Sequence, residues 1–429
     1  MKLYQDYKKL FSIIVIGLLL IVPILFSYAQ SLEELNKKIS QKNADIDKLE
    51  QEIKQYQAQL DDLGKQKNSL NGSIKQLDLT KKKLVADIAI TENKIEKTNL
   101  RIQELSLDIG NKEDTIKRDI DAIKIDIRKT NELELNSISE VILSENNFTD
   151  VWNDIDNMVS VREKIREKIV ELKQIKGDLE DTRKETTDAR NELVSLKNQL
   201  ADQKKIVDQN TAEKKKLLAQ TKNSESSYQK LLKDKLAKKE AFEKELQDYE
   251  AQLKFILDPK TLPGSGVLSW PLDYIYVTQL FGKTASSGRL YASGTHNGVD
   301  FRARTPVPLK AMADGIVAGT GDTDKQCPGV SFGRFVLIKY DNGLASTYGH
   351  LSLIKVNTGD RVARGQVVGY TGNTGYSTAP HLHVSVYAKD AVNLKTLPSK
   401  SCPGHTLTQP ISAVNAYLDP MYYLPPYKQ

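Results

Sequence analysis

Proline, glycine and large aromatics are scarce over the first 257 residues of this 429-residue chain and become frequent only after Asp258. That shift in texture places a domain boundary at residues 258–266, where the sequence runs PKTLPGSG. Cysteine is rarer still, with two in the whole chain, and neither has a second cysteine at short spacing, so a disulfide suits them better than a thiolate metal centre. A strong charge of one sign is also missing. The net charge of +6 is spread among interleaved Lys and Glu, the pattern of a solvated helical surface, and no nucleic-acid partner is expected. Long apolar runs are absent except for one, Leu10 to Phe26, which follows a basic, polar opening and precedes Ser27-Tyr28-Ala29.

Small residues at that spacing are what signal peptidase reads, so residues 1–29 are expected to be a signal peptide cleaved after Ala29. The competing reading is an uncleaved anchor at residues 10–26, since about 17 apolar residues is near the lower limit for spanning a bilayer. In both cases the remaining chain is expected outside the cytoplasm, secreted or in the cell envelope. In that compartment Cys327 and Cys402, each followed by Pro, are expected to form one disulfide.

From Leu32 onward apolar residues recur every seven positions. One series includes Leu32, Ile39, Ile46, Ile53, Leu60, Ile74, Ile88, Ile95, Ile102, Ile109, Ile116 and Ile123, interrupted by Lys67 and Lys81. A second, offset by three, includes Leu35, Leu49, Tyr56, Leu63, Leu70, Leu77, Leu84 and Leu105. Two seams at that offset predict a left-handed coiled coil over residues 31–257. The pattern breaks near residues 131–157 and then resumes with Met158, Ile165, Leu172, Leu179, a gap at Thr186, Leu193, Leu200 and Val207. Two helical stretches around one break predict an antiparallel hairpin with arms of roughly 150 Å, while a parallel dimer also satisfies the heptads. At the break, Val141, Ile142, Leu143, Phe148, Val151 and Trp152 form either a docking tip or the small core of the turn.

After Gly266 short Val/Ile/Tyr-rich runs alternate with Gly, Asn and Asp (VLSW, YIYVTQLFG, GIVAGTGD, RFVLIKYDNGLASTYGH, RVARGQVVGYTGNTG, HLHVSVYA), predicting an antiparallel sheet domain over residues 267–424. Four of the chain's five histidines fall in three of its phrases: GTHNGVD with His296 and Asp300, TYGHLS with His350, and APHLH with His381 and His383. His381 and His383, two apart on a strand, project from one face. His296 and Asp300 are four apart, about 13 Å on a straight strand and too far for one ion. The turn-prone Asn297-Gly298 between them can remove that distance. Zinc catalysis uses three ligands of this type and keeps a fourth position open for water. Two histidines and one aspartate meet that count, and two histidines remain for proton transfer and oxyanion stabilisation.

GTHNGVDF, AMADGIV, TYGHLS, the run VNTGDRVARGQVVGYTGNTG, APHLH and LDPMYYL resemble the LytM or lysostaphin-like zinc metallopeptidases of bacterial cell walls. The resemblance implies a small, mostly antiparallel β domain that cleaves amide bonds in peptidoglycan peptides. It further implies one Zn²⁺ on His296, Asp300 and His383, with His350 and His381 as the catalytic pair. The whole plan, a coiled-coil hairpin followed by such a domain, is similar to the EnvC-like murein hydrolase activators. Their arm docks on the membrane protein FtsX, and their domain has lost the metal ligands. This chain departs from them in having all five positions filled. It also departs from the peptidase pattern: Ala379 stands where glycine commonly precedes Pro-His, Ser385 where glutamate is frequent, and insertions lie around Cys327 and at Ser399 to Pro410. An active endopeptidase, a non-catalytic amidase activator and a membrane-to-wall tether are the three readings. His405 fits no motif and is expected in a loop.

Overall fold

The structure, a computed structural model, describes residues 32–63, 69–134, 148–222, 224–253, 255–257, 260, 262–283, 294–303, 305–377, 379–399 and 401–427. The expected signal segment, Val141 to Leu143 and the side chains of Phe148, Val151 and Trp152 lie outside what is described. Four long helices precede the sheet: α1 (Leu32–Leu63), α2 (Leu70–Glu134), α3 (Phe148–Thr221) and α4 (Glu225–Glu250). No helix among the described residues is long and apolar enough to cross a membrane. The chain divides into two compact units, one of residues 1–50 and 89–200 and the other of residues 51–88 and 201–429.

In the first unit α2 and α3 pair antiparallel within one chain. Arg101 meets Glu185 at 2.6 Å, Arg183 meets Glu113 at 2.7 Å, and Lys168 meets Asp119 at 3.9 Å, so numbers rise on one helix as they fall on the other. The seam residues Leu35, Ile46, Leu105 and Leu179 are buried as the heptads require. Thr186, the gap in the repeat, is also a buried seam position. Its hydroxyl donates back to the Thr182 carbonyl of the same helix, so no polar group there is left unsatisfied. The first part of the repeat does not continue straight into the second. Lys42 lies 2.7 Å from Glu96, about as far from the α1–α2 junction as its partner, so α1 folds back along α2. At that junction the Ser69 hydroxyl accepts from the Gly72 N–H and caps α2, a local signal that outweighs heptad continuity.

The second unit holds the sheet domain with the helical segments packed on it. Its strands are β1 (Val277–Gln279), β2 (Val299–Arg302), β3 (Pro308–Lys310), β4 (Gly315–Asp322), β5 (Arg334–Tyr340), β6 (Leu344–Ile354), β7 (Arg361–Val362), β8 (Val367–Thr371), β9 (His381–Ala388), β10 (Asn393–Pro398), β11 (Thr406–Ile411) and β12 (Tyr417–Leu418). The main sheet runs β1-β2-β9-β6-β5-β4-β7, every pairing antiparallel, and β10 pairs with β11 as a separate hairpin. Val267 to Trp270 does not form the expected strand. Leu268 is instead buried in the core, its N–H held by the Tyr423 carbonyl, because the chain ends there fold over the sheet.

The two insertions prove to be partners. Cys327 and Cys402 are joined, with their Cα atoms 6.1 Å apart, tying the loop before β5 to the turn of the β10–β11 hairpin. Phe242 and Leu246 of α4 pack on this crosslink with Val330 and Leu407. His405 lies in that hairpin turn and is exposed, as a loop residue should be. Toward the end of α4, Glu250 is buried. It accepts from the Tyr417 hydroxyl at 2.7 Å and, at 3.4 Å, from the Ser412 N–H. Burial raises its carboxyl to about 7, only partly offset by those two hydrogen bonds. An acid whose folded pKa is raised stabilises the fold while protonated, and the contribution is lost as pH climbs from about 4.5 to about 7. The loss is about 3 kcal/mol at most. Glu250→Gln should therefore flatten the stability-versus-pH profile across that window. Denaturant unfolding followed at pH 5 and pH 8 measures it, and a slope equal to that of the parent chain would contradict the assignment.

Candidate metal centre

The five motif residues come from adjacent strands. In the antiparallel pairing of β2 with β9, Asp300 sits opposite His383, and β9 pairs in turn with β6 so that Gly349, just before His350, also faces His383. Val299 and Phe301 alternate with Asp300 and are fully buried, as are Leu382 and Val384 beside His383. The apolar set takes one face of the sheet and the polar set gathers on the other.

His296 reaches this face from just before β2. Its backbone bridges Gly282, and the chain bends at Asn297-Gly298, which removes the 13 Å of a straight strand. His296 Nε2 thereby lies 3.4 Å from Asp300 Oδ1 and 3.2 Å from His383 Nδ1, and His383 Nδ1 is 2.9 Å from the same carboxylate oxygen. Glycine at 298 is required by crowding. A Cβ there would fall 2.5 Å from the Val384 carbonyl and 2.7 Å from the His383 ring.

The donor set fits a tetrahedral zinc ion. Ligand distances of about 2.0–2.1 Å imply edges of about 3.3 Å between ligand atoms, close to the three separations here. The far nitrogens are already committed. His296 Nδ1 faces the Leu280 carbonyl at 3.0 Å, so it carries the proton and Nε2 presents its lone pair. An Nε2–H of His383 donated to Ser385 Oγ, 2.9 Å away, leaves Nδ1 in the same state. Three electron-rich atoms brought this close repel one another unless a cation joins them. Burial alone would raise the Asp300 carboxyl, but positive charge on His381 and His296 and N–H donation from His296 and His383, available when those rings are protonated, hold it well below the usual carboxylate range. Burial lowers His383, with Asp300 opposing, which keeps that imidazole neutral and able to ligate.

His350 and His381 complete the cluster, their ring centres 4.5 Å apart. His381 Nδ1 donates to the Ala379 carbonyl at 2.8 Å, which leaves Nε2 as an acceptor 3.7 Å from Asp300 Oδ1. His350 Nδ1 likewise donates to the Thr374 carbonyl at 2.8 Å. Burial, and then the neighbouring His381 and His383, press the His350 imidazole well below its ordinary value, so it stays neutral. Its backbone takes φ of 63°, a left-handed conformation uncommon outside glycine, and is secured by its N–H donating to the Phe332 carbonyl at 2.7 Å. The partners that orient the rings, the carbonyls of Leu280, Thr374 and Ala379, carry no side-chain signature. Sequence reasoning passes over them, and Ser385 stands out only as a departure from a pattern.

Residues 294–394 match the model of peptidase family M23. The glycyl-glycine endopeptidase ALE-1 of Staphylococcus capitis is 43% identical over 90 residues, 21% of this chain and 24% of that protein. The DD-carboxypeptidase/endopeptidase Mpg of Neisseria meningitidis is 34% identical over 113 residues, 26% of this chain and 24% of that protein. The peptidoglycan DD-endopeptidase ShyA of Vibrio cholerae is 37% identical over 94 residues, 22% of this chain and 20% of that protein. The chain thus spans about a quarter of the length of the curated relatives it matches. Among solved structures, the catalytic domain of lysostaphin from Staphylococcus simulans is 26% identical with a TM-score of 0.25, covering 34% of this chain and 90% of that one.

Gly298→Ala should weaken zinc binding by about ten- to a hundredfold, because the added methyl must displace either the β9 backbone or the His383 ring. Titration against a zinc-selective chelator measures this, and unchanged affinity would show that the packing around His383 is more yielding than it looks. What the sequence motifs, the sheet register and the matched family model together establish is that this chain carries a peptidase family M23 domain.

Proposed function

We propose that the chain is a zinc-dependent endopeptidase that hydrolyses amide bonds in peptidoglycan peptides outside the cytoplasm, during wall remodelling or division. The observation that carries this reading is the convergence of His296, Asp300 and His383 within 4.8 Å, beside two histidines that are not needed as ligands. The names of the relatives, a glycyl-glycine endopeptidase and a peptidoglycan DD-endopeptidase, support the same substrate class.

His296 Nε2, Asp300 Oδ1 and His383 Nδ1 would hold the ion, which when bound supplies a Lewis acid and an acidified water. His381 is the general base. With Nδ1–H fixed on Ala379, its Nε2 lone pair is the only site on the ring that can take the proton of the attacking water. Once protonated, the same nitrogen can pass that proton to the leaving amine. His350, kept neutral and with Nδ1–H fixed on Thr374, offers its other nitrogen as an acceptor that orients the water. A neutral ring in this tautomer has no N–H to give an oxyanion, so its part precedes bond breaking. An FtsX-like membrane protein at the coiled-coil tip is the partner suggested by the overall plan.

The test is zinc content of the full chain together with release of peptide fragments from purified peptidoglycan. One zinc per chain and measurable release are expected. His381→Ala should keep the zinc and lose release by about a hundredfold or more, whereas Asp300→Ala should lose both. Full release by the His381 variant would remove the base assignment. A chain without zinc that stimulates an added amidase would support the activator reading instead.

A further inference from the structure

His383 differs from the other imidazoles of the cluster in what holds its far nitrogen. Backbone carbonyls of Leu280, Thr374 and Ala379 orient the other three rings, whereas His383 Nε2 faces a side chain, the Ser385 hydroxyl at 2.9 Å. A serine hydroxyl is a weak acceptor until its own proton is donated onward, because each hydrogen bond in a row polarises the next. Where the Ser385 proton goes therefore decides how firmly the ring is held.

Side chains two apart on β9 share a face, so Tyr387 follows Ser385 on the side of the sheet that carries the metal centre. Thr347 of β6 stands opposite Ser385, and Tyr417 of β12 stands opposite Tyr387, the two rings 4.8 Å apart. Ser385, Thr347 and Tyr387 are buried. Burial raises the Tyr387 phenol to about 12, with the nearby hydroxyls of Thr347 and Ser385 pulling the other way. Neither the Tyr387 hydroxyl nor that of Thr347 has a direct hydrogen-bond partner. Beyond Tyr387 the next contact is already made, for the Tyr417 hydroxyl donates to Oε1 of Glu250, which closes α4, at 2.7 Å. Two bonded ends, His383 with Ser385 and Tyr417 with Glu250, thus flank one unpaired phenol. Buried hydroxyls find partners, and the groups this one faces belong to both ends. Closing the gap, by direct approach or through one bridging water, makes a row in which every proton is donated the same way, from imidazole to carboxyl.

We infer that Tyr387 and Glu250 are positioning residues for the metal centre: with Ser385 and Tyr417 they form one row of hydrogen bonds that keeps the His383 proton on Nε2 and strengthens Nδ1 as a donor to the ion. The inference rests on the reading of His383 as a zinc ligand. A carboxylate that accepts from the far nitrogen of a ligating imidazole fixes the ring and raises its basicity. Here three hydroxyls carry that contact to a helix that precedes the sheet domain. Glu250 Oε1 serves as the terminal acceptor with or without a proton on its second oxygen, and serves best when the carboxyl is ionised.

The experiment uses the full chain at about pH 8, above the Glu250 value of about 7. Zinc affinity is read by chelator competition, and the His383 tautomer from histidine nitrogen resonances of the metal-free chain. Ser385→Ala should weaken zinc binding by about ten- to a hundredfold. Tyr387→Phe and Glu250→Leu should each weaken it by about two- to tenfold, the worth of one hydrogen bond, and Glu250→Gln, which keeps an acceptor, should recover most of the second loss. Because the residues act in series, the double variant of Tyr387→Phe and Glu250→Leu should bind no worse than Tyr387→Phe alone. Val392→Ala, in the same small apolar cluster as Tyr387, controls for packing and should lower the melting temperature while leaving zinc affinity as it was. Affinity unchanged in Tyr387→Phe, losses that add in the double variant, or an equal loss in Val392→Ala overturns the inference. A parent chain that binds no zinc but holds the Nε2–H tautomer, with Tyr387→Phe admitting the other, keeps the row and removes the metal reading.

Discussion

The pairing of β2 with β9, Asp300 against His383, is the constraint on which the rest of the centre depends. Side chains alternate along a strand, so a slip of β2 by one residue would exchange its polar and apolar faces while β9, held by β6, stays in place. Val299, Phe301, Leu382 and Val384 have no exposed surface. Burying each contributes on the order of 2 kcal/mol, and Val299 and Phe301, the two on the displaced strand, would lose theirs in the slipped register. Hydrophobic burial behind the sheet therefore holds three mutually repelling donor atoms in front of it. A metal ion bound there would have little to organise.

The second feature of the centre is that its orienting contacts are mostly backbone. Leu280, Thr374 and Ala379 each offer a carbonyl to one imidazole, and each fixes which nitrogen carries the proton. Main-chain groups hold position better than flexible side chains because their strands and turns are fixed by neighbouring hydrogen bonds. The strained backbone of His350 belongs to the same scheme. Its left-handed conformation turns the ring toward Thr374, and the Phe332 carbonyl secures the turn.

Much of this was legible in residue spacing. The heptads of Leu35, Ile46 and Leu105 identify the buried seam of the helices, and the two-residue step between His381 and His383 identifies a shared strand face. The convergence of His296 with Asp300 was legible only as a requirement on Asn297-Gly298, since spacing alone put them too far apart. Other features were hidden for physical reasons. The return of α1 along α2 has only the Ser69 cap as a local mark, too small to disturb a seven-residue repeat. Val267 to Trp270 has the composition of a strand, yet tertiary packing uses it as a strap over the sheet. Pairing between the two insertions is a matter of three-dimensional proximity that neither segment announces.

That pairing ties the cleft to its chemical surroundings. The loop crosslinked at Cys327 runs on to Phe332, whose carbonyl anchors the His350 backbone, while Asp324 in the same loop accepts from the Gly375 N–H beside the Thr374 carbonyl that orients the ring. Oxidation of two sulfurs thus fastens the scaffold of a histidine to which neither cysteine is bonded. Where glutathione keeps thiols reduced the fastening cannot persist, and the same polypeptide would carry a slacker cleft inside a cell than beyond its membrane.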